Sequence, residues 1–244
     1  MMTRNRFFAL QIFFIGITFL ILYFSFPVGG KVDMYFIQPW VNATGQFPLR
    51  EDWFLKNINH GLFKDIIYAI YSIFLLLWCI SFKIKKYRPK RWLYAYMFLV
   101  SIIAASIVGV IKSHSSHACP WNMTHQTPYG YIWDFSATHG HCFPGGHAST
   151  GFILITGFFV YRLTNKKIAY VFLIAGIMAG FGMGWGQMMR GAHFLSHNLW
   201  TGWIVWIVNV IFYALCYSKL VKFNSYKFSL SQQETATLSH DLAV

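Results

Sequence analysis

Acidic residues are the scarcest charged class in this chain. Aspartate and glutamate account for 7 of 244 residues, against 20 lysines and arginines, so the formal net charge is +13. None of the acidic residues lies inside a long apolar run, and Asp65 only marks the edge of one. The runs therefore lack the carboxylate lining that a pathway for metal cations would use.

Charge of either sign is sparse, at 11% of residues, whereas 56% are hydrophobic and 20% aromatic. This composition excludes an ordinary soluble globule and is typical of a membrane-embedded protein. A basic balance can also indicate nucleic-acid binding. Here, however, the basic residues concentrate in short loops between apolar runs, and no RNA- or DNA-binding motif is present. We therefore predict no nucleic-acid partner.

Six apolar segments are long enough, or nearly so, to cross a hydrocarbon core of roughly 30 Å. They are Phe7–Val28, Asp65–Phe82, Leu93–Ile111, Ala148–Leu163, Ile168–Gly186 and Leu199–Ser218. The predicted fold class is all-α, a bundle of six transmembrane helices. Residues 1–228 form the predicted membrane domain, and 229–244 form a polar tail that is predicted to be disordered.

Basic residues predict the orientation of the bundle. Of the 20 lysines and arginines, 14 fall before the first segment, between the second and third, between the fourth and fifth, or after the sixth. By the positive-inside rule this side is cytoplasmic, and so are both termini. The first segment is too long for a cleavable signal peptide and is predicted to be an uncleaved anchor.

Three polar islands interrupt the apolar pattern, and all three fall on the predicted outer side. They are Lys112–Pro120, Phe143–Ser149 and Gln187–His197. Each places lysine, arginine or histidine at the end of an apolar segment, where burying a charge is energetically costly unless the charge has a partner or a function. Their convergence predicts an anion pocket with histidine chemistry.

The second island combines a Pro144-Gly145-Gly146 turn with His147 at the start of the fourth segment. Glycine lets main-chain N–H groups point inward, and a helix N-terminus favours a phosphate. The alternative is an ordinary loop-to-helix junction with a capping histidine. Lys112, which ends the third segment, is either a phosphate ligand or a lysine whose ammonium extends to the interface.

The third island places Gln187, Arg190, His193 and His197 at spacings of three and four residues. If the segment is helical, these side chains share one face. A guanidinium beside two imidazoles suits an anion better than a metal cation, so this face is predicted to contribute to the anion pocket.

Together the islands resemble the signature of the type-2 phosphatidic acid phosphatases, which are integral-membrane lipid phosphate phosphatases. The family pattern is K-x6-R-P, P-S-G-H and S-R-x5-H-x3-D. The matching parts here are Lys112-x6-Cys119-Pro120, Pro144-Gly145-Gly146-His147 and Gln187-x5-His193-x3-His197. Order and spacing agree, but the two family arginines, the serine of the second motif and the aspartate are replaced by Cys119, Gln187, Gly145 and His197 respectively.

The resemblance implies two-step phosphoryl transfer with neither metal nor other cofactor. His193 would attack phosphorus and form a phosphohistidine, and His147 would protonate the leaving oxygen and then activate water. His197, in place of the family carboxylate, would accept a hydrogen bond from His193. The phosphoryl oxygens would be held by Lys112, Arg190, Gln187 and the amides of Gly145 and Gly146.

The expected function is hydrolysis of a lipid phosphomonoester or pyrophosphate, or transfer of its phosphoryl group, at the outer leaflet of a bacterial inner membrane. The active site would face the periplasm, and the partners would be the lipid phosphate and membrane lipids. Candidate substrates are polyprenyl pyrophosphate, phosphatidylglycerol phosphate, phosphatidate and lipid A phosphate. The sequence does not decide among these substrates, and it does not predict an oligomeric state.

Cys119 and Cys142 both fall in the predicted outer loop, 113–143, which is expected to be mostly irregular. An oxidising exterior permits a disulfide, and we predict one between them; two free, partly buried thiols are the alternative.

Two other functions stay open. One is an outward-facing metal-binding protein that uses histidines of the outer side, such as His114 with His117 or His139 with His141. The other is a degraded homologue that binds lipid headgroups without turnover.

Overall fold

The structure, a computed structural model, describes residues 3–138 and 140–241, with side chains described as far as Val221 except for that of His60. His139, one of the proposed metal ligands, lies outside the described residues, as do 242–244 of the tail. The helices are α1 (Arg4–Ser25), α2 (Lys31–Ile37), α3 (Phe63–Lys83), α4 (Arg91–His114), α5 (Gly146–Phe152), α6 (Thr156–Tyr161), α7 (Lys166–Met189) and α8 (Leu195–Asp241). A π-helical segment, Phe54–Leu62, leads into α3.

Five helices in the described part of the chain are long and apolar enough to cross a membrane. They are α1, the continuous helix Phe54–Lys83, the helix that ends at His114, α7, and α8 as far as Val221. The prediction of a multi-pass helical membrane protein is confirmed at this level. The fourth predicted segment is shorter, because a 3₁₀ turn at Ile153–Ile155 divides it into α5 and α6. The count of six spans therefore stays a prediction.

Glycine explains why the broken helix packs closely against α7. A Cβ on Gly151 would clash with the main chain of Gly180, and a Cβ on Gly180 would clash with the ring of Phe152. Small residues at a helix contact let two backbones approach closely, which favours packing where the hydrophobic effect between helices is weak. Contacts of this kind fix the position of α5 along the axis of α7, and therefore also the position of His147.

The chain order places the candidate residues at one end of the bundle. The C-terminal ends of α4 and α7 and the N-terminal ends of α5 and α8 meet there, and we call this the site end. The loops rich in lysine and arginine lie at the opposite end. At that end the Arg162 guanidinium lies 3.4 Å from the centre of the Phe7 ring and donates to Tyr213 Oη at 3.1 Å.

The predicted outer loop contains regular structure that the sequence analysis did not expect. Strands β1 (Thr124–Thr127) and β2 (Gly130–Trp133) form an antiparallel hairpin in which Thr124 faces Trp133. Thr124 Oγ1 donates to the Gly45 carbonyl at 2.6 Å, which fastens the hairpin to the segment after α2. The expectation of a mostly irregular loop and an entirely α-helical chain is therefore wrong in this segment.

The C-terminal helix α8 is described through Asp241, so it includes part of the tail that the sequence analysis expected to be disordered. The division of the chain at residue 228 stays a prediction.

Candidate active site

The three polar islands meet at the site end. Lys112 lies in the last turn of α4, His147 in the first turn of α5, and His197 in the first turn of α8. His193 lies in the turn between α7 and α8, and its side chain is buried, as is that of His197. The structure therefore brings one residue from each island to a common region.

His193 and His197 contact each other through their rings. Their Nδ1 atoms lie 3.4 Å apart, at the long end of hydrogen-bonding distance. Because one nitrogen must carry the proton and the other accept it, the pair fixes the tautomers of both imidazoles. This contact leaves His193 Nε2 outside the pair, which suits a nitrogen that attacks phosphorus.

His147 and Lys112 complete the group. The centres of the His147 and His193 rings are 6.4 Å apart. Lys112 lies against the start of α5, with Nζ 3.9 Å and Cδ 3.4 Å from the position that a Cβ on Gly146 would occupy. The missing side chain at Gly146 therefore gives the lysine room beside the histidines.

Burial sets the protonation state of His193. Removal from solvent lowers the pKa of His193 well below its ordinary value of 6.5, and the charges of His197, Lys112 and His147 lower it further. A neutral imidazole is the nucleophilic form. His193 is therefore neutral at neutral pH, which is the form that a nucleophilic histidine requires.

Gly145 does not act as predicted. Its amide N–H donates to the His197 carbonyl at 3.2 Å, so this amide is committed to the main chain of α8 and not to a phosphate. A Cβ at Gly145 would lie 2.5 Å from Asn198 Oδ1. A serine at this position, which the family pattern has, would therefore require the buried Asn198 side chain to shift.

Gln187 is buried in the last turn of α7, and in the part of the chain that the structure describes its Nε2 has no hydrogen-bond partner. A buried donor without a partner is costly and is usually satisfied by water or a ligand. This observation fits its predicted role as a phosphate ligand.

The prediction that Arg190, His193 and His197 share one helical face is wrong. α7 ends at Met189, and Gly191 has a left-handed φ of 77°, which turns the chain before α8 begins. Glycine tolerates this conformation and commonly ends helices. Arg190 Nε donates to the Arg50 carbonyl at 2.8 Å, so its guanidinium is held by a segment before α3. Lys112, and not Arg190, supplies the cationic charge that acts on His193.

Asp33 is a buried carboxylate that the sequence analysis missed. Its Oδ1 accepts from Ser196 N at 2.8 Å, and its Oδ2 accepts from Ser196 Oγ at 2.5 Å and from Gly29 N at 2.9 Å. Burial raises the pKa of Asp33, while these hydrogen bonds oppose the rise. Asp33 fastens the first turn of α8, next to His197, and no spacing rule relates residue 33 to residue 196.

Cys119 and Cys142 are joined by a disulfide, with their Cα atoms 5.2 Å apart. Both residues are buried. In the described ranges, 3–138 and 140–241, no group of three or more histidine, cysteine, aspartate or glutamate side chains is arranged to hold a metal ion.

Comparison with known proteins agrees with this geometry. The sequence model of the PAP2 superfamily matches residues 90–221, which is more than half of the chain and includes all three islands. The chain belongs to the PAP2 superfamily. The resemblance to the type-2 phosphatidic acid phosphatases is therefore confirmed, and the matched range contains the three islands.

One curated PAP2 relative is the lipid A 4'-phosphatase of Francisella tularensis subsp. novicida (strain U112). It is 39% identical over 74 residues, which cover 30% of this chain and 32% of the relative. The match thus spans about a third of the length of that relative. No solved structure matches the chain.

Proposed function

We propose that this PAP2 protein is a multi-pass membrane phosphatase that hydrolyses a lipid phosphate through a phosphohistidine intermediate. The observation that carries the proposal is the buried pair of His193 and His197, in Nδ1 contact at 3.4 Å, with His147 and Lys112 beside it. A neutral nucleophile, a second histidine and one fixed cation are the groups that the reaction needs.

In the first step, His193 Nε2 attacks phosphorus and the bond from phosphorus to the ester oxygen breaks. Protonated His147 gives its proton to the leaving oxygen, so the lipid departs as an alcohol. In the second step, His147 takes a proton from water, and the resulting hydroxide attacks the phosphohistidine. Inorganic phosphate leaves, and both histidines return to their starting states.

Charge stabilisation in this mechanism relies on few groups. Lys112 neutralises part of the charge on the phosphoryl oxygens, and Gln187 Nε2 and the Gly146 amide donate hydrogen bonds to them. His197 keeps His193 in the reactive tautomer, although as a neutral ring it supplies no negative charge. We therefore expect a slower enzyme than one with a carboxylate at position 197.

The proposed substrate is the phosphomonoester of a lipid, with a lipid A phosphate as the first to test. The relative named above supports this choice, as does the apolar bundle, which would let a lipid approach from the side. The site end is proposed to face the periplasm, because the lysine-rich loops lie at the other end and positive loops stay cytoplasmic.

The direct test gives purified protein in detergent a panel of lipid phosphates, with lipid A 4'-phosphate among them, and measures released phosphate with and without EDTA. We expect release that survives the chelator and falls by at least about a thousandfold in His193→Ala, because the nucleophile is lost. His114→Ala, at an exposed position outside the group, is the matched control and should keep wild-type activity.

Two outcomes would contradict the proposal. Activity that the chelator abolishes would favour the metal-dependent alternative. Protein that is folded yet inactive on every lipid would favour the degraded headgroup-binding homologue.

A further inference from the structure

A buried amide lies where the serine of the family pattern would be. That pattern has serine at the position of Gly145. A Cβ built on Gly145 would lie 2.5 Å from Asn198 Oδ1 and 3.6 Å from Asn198 Cγ. The amide of Asn198 therefore occupies the space that the first atoms of a serine side chain would take.

Asn198 is deeply buried and incompletely hydrogen-bonded. Its side chain is 1% exposed, and among the side chains that the structure describes its Oδ1 has no hydrogen-bond partner. A buried polar atom without a partner is costly, and in native structures such an atom is usually satisfied by water or by a ligand. The Asn198 amide therefore needs a hydrogen-bonding group from outside the described chain.

Two glycines make room for this amide. Gly145 lies on one side of it, just before α5. Gly184 of α7 lies on the other side, where a Cβ would be 2.6 Å from Asn198 Cγ. A side chain at either position would require the amide to shift. The amide is thus held between the start of α5 and the last turns of α7.

Main-chain contacts place the amide beside the histidines. Asn198 follows His197 in α8, and Gly145 lies two residues before His147. Gly145 N donates to the His197 carbonyl at 3.2 Å, and Thr201 Oγ1 donates to the Gly145 carbonyl at 3.1 Å. These two hydrogen bonds fix Gly145 against α8, so they also fix the position of Asn198 relative to the turn that carries His147.

A second unsatisfied amide lies on the same face of α7 as Gly184. Gln187 follows Gly184 by three residues, and its Nε2 also lacks a partner in the described part of the chain. A phosphoryl group has several acceptor oxygens and can accept from two amides. The asparagine amide carries a donor and an acceptor, and a half-turn about its terminal torsion exchanges them, so a bound anion selects the orientation in which Nδ2 faces it.

We propose that Asn198 binds the phosphoryl group through its side-chain amide and takes the place of the serine that the family pattern has at position 145. Nδ2 donates to a phosphoryl oxygen from the side of α8, next to the donors Gln187 and Lys112. The inference rests on the proposed phosphatase function. It adds a neutral donor to a site in which both family arginines are replaced.

The test exchanges the side chains at the two positions and measures kcat/KM with the lipid phosphate and inhibition by orthovanadate, a phosphate analogue. Asn198→Ala should lower kcat/KM about tenfold, typical of one hydrogen bond to a charged group, and should weaken vanadate inhibition similarly. Gly145→Ser should also be impaired, because serine and Asn198 compete for one space. In Gly145→Ser/Asn198→Ala the serine has room, and kcat/KM should recover to within about threefold of wild type.

Asn198→Leu separates phosphate binding from support of the fold. Leucine has nearly the shape of asparagine and leaves no unsatisfied polar atom, so the melting temperature should equal or exceed that of the wild type. The kcat/KM of this variant should nevertheless fall at least as far as that of Asn198→Ala, because leucine has no donor.

Asn209→Ala is the matched control. Asn209 is also buried in α8, and its Oδ1 also has no partner among the described side chains. It lies about three helical turns beyond Asn198, far from the histidines. This variant should keep kcat/KM and vanadate inhibition within about twofold of wild type.

Two results would overturn the inference and leave the proposed function intact. The first is an active wild type whose Asn198→Ala and Asn198→Leu variants keep its kcat/KM and its vanadate inhibition. The second is a Gly145→Ser/Asn198→Ala variant no more active than Asn198→Ala, because serine and the amide would then not be interchangeable. Folded wild-type protein with no activity on any lipid phosphate would instead contradict the proposed function, and this inference with it.

Discussion

The candidate site has two parts that are built differently. The histidine half is formed by His147, His193 and His197, and the half predicted from the sequence to bind the anion is formed by Lys112, Gln187 and Arg190. The histidines keep the family spacing, and two of them are buried in ring contact. In the anion-binding half, both family arginines are replaced, and Arg190 is held by the Arg50 carbonyl. The groups that we propose to transfer the phosphoryl group are thus retained, whereas the two arginines that the family pattern would supply to hold it are replaced.

This difference suggests that substrate affinity is carried by other contacts. The acyl chains keep a lipid phosphate in the bilayer and thereby raise its effective concentration at a membrane protein. A site for such a substrate therefore needs fewer charged groups than a site for a soluble phosphate. We therefore expect changes in the histidine half to reduce turnover strongly and changes in the anion-binding half to have smaller effects.

The largest effect among the following predictions concerns His147. His147→Ala should lower kcat about 10²- to 10⁴-fold, which is the range for loss of a general acid and base. The leaving oxygen of an aryl phosphate with an acidic phenol needs no protonation. The rate of phosphoryl transfer from such a substrate to the enzyme should therefore fall much less in His147→Ala. Burst kinetics with both substrates measure this difference, and an equal loss for both would show that His147 does not protonate the leaving oxygen.

Substitution of Lys112 should have the second-largest effect on catalysis. Lys112→Met removes the cation nearest the histidines and should lower kcat/KM about 10- to 100-fold, a typical range for one charged contact to the transition state. It should also raise the pKa of His193, because the positive charge of Lys112 helps to keep that pKa below 6.5.

The rising limb of the pH profile of kcat/KM, which reports deprotonation of the nucleophile, should therefore lie below pH 6.5 in the wild type. In Lys112→Met it should move to higher pH. A shift to lower pH, or none, would mean that the limb belongs to another group.

Substitution of Asp33 tests how this residue stabilises the start of α8, and it does not test the phosphoryl-transfer step. Both of its oxygens accept hydrogen bonds, so an asparagine would turn its amide NH₂ toward a donor. Asp33→Asn should lower the free energy of unfolding by about 1–3 kcal/mol, the cost of an unsatisfied buried polar group. Thermal unfolding in detergent measures this, with Asp52→Asn, a less buried carboxylate, as the control. Equal stability of the two variants would show that the contact with Ser196 contributes little.

Arg190 should show the smallest effect on chemistry. Because its Nε contacts the Arg50 carbonyl and its charge is not among those acting on His193, Arg190→Ala should change kcat/KM by less than about threefold. A loss as large as that of Lys112→Met would restore Arg190 as a phosphate ligand and would make the two halves of the site more alike than we infer.

The sequence predicts those parts of the molecule that depend on composition and spacing. Long apolar runs predict the five long helices. The spacing of Lys112, His147 and His193 predicts the candidate site, because these residues lie near helix ends that the topology brings together. The structure departs from prediction where one backbone conformation decides the outcome. The chain turns at Gly191, which has a left-handed φ, just after α7 ends. Arg190 therefore does not share a helical face with His193 and His197.

Other features had no local sequence signal. The contact of Asp33 with Ser196 joins residues 163 positions apart. The β-hairpin is short and is fastened by distant contacts, which a reading of local pattern does not detect.

The measurement that tests the central claim most directly is trapping of the covalent intermediate. Wild-type protein would be mixed with lipid A carrying a ³²P-labelled 4'-phosphate and quenched within one turnover, and the label would then be mapped by peptide digestion. The account predicts an acid-labile, alkali-stable label on the peptide that contains His193, and none in His193→Ala. Phosphate release with no labelled peptide, or a label that persists in His193→Ala, would contradict it.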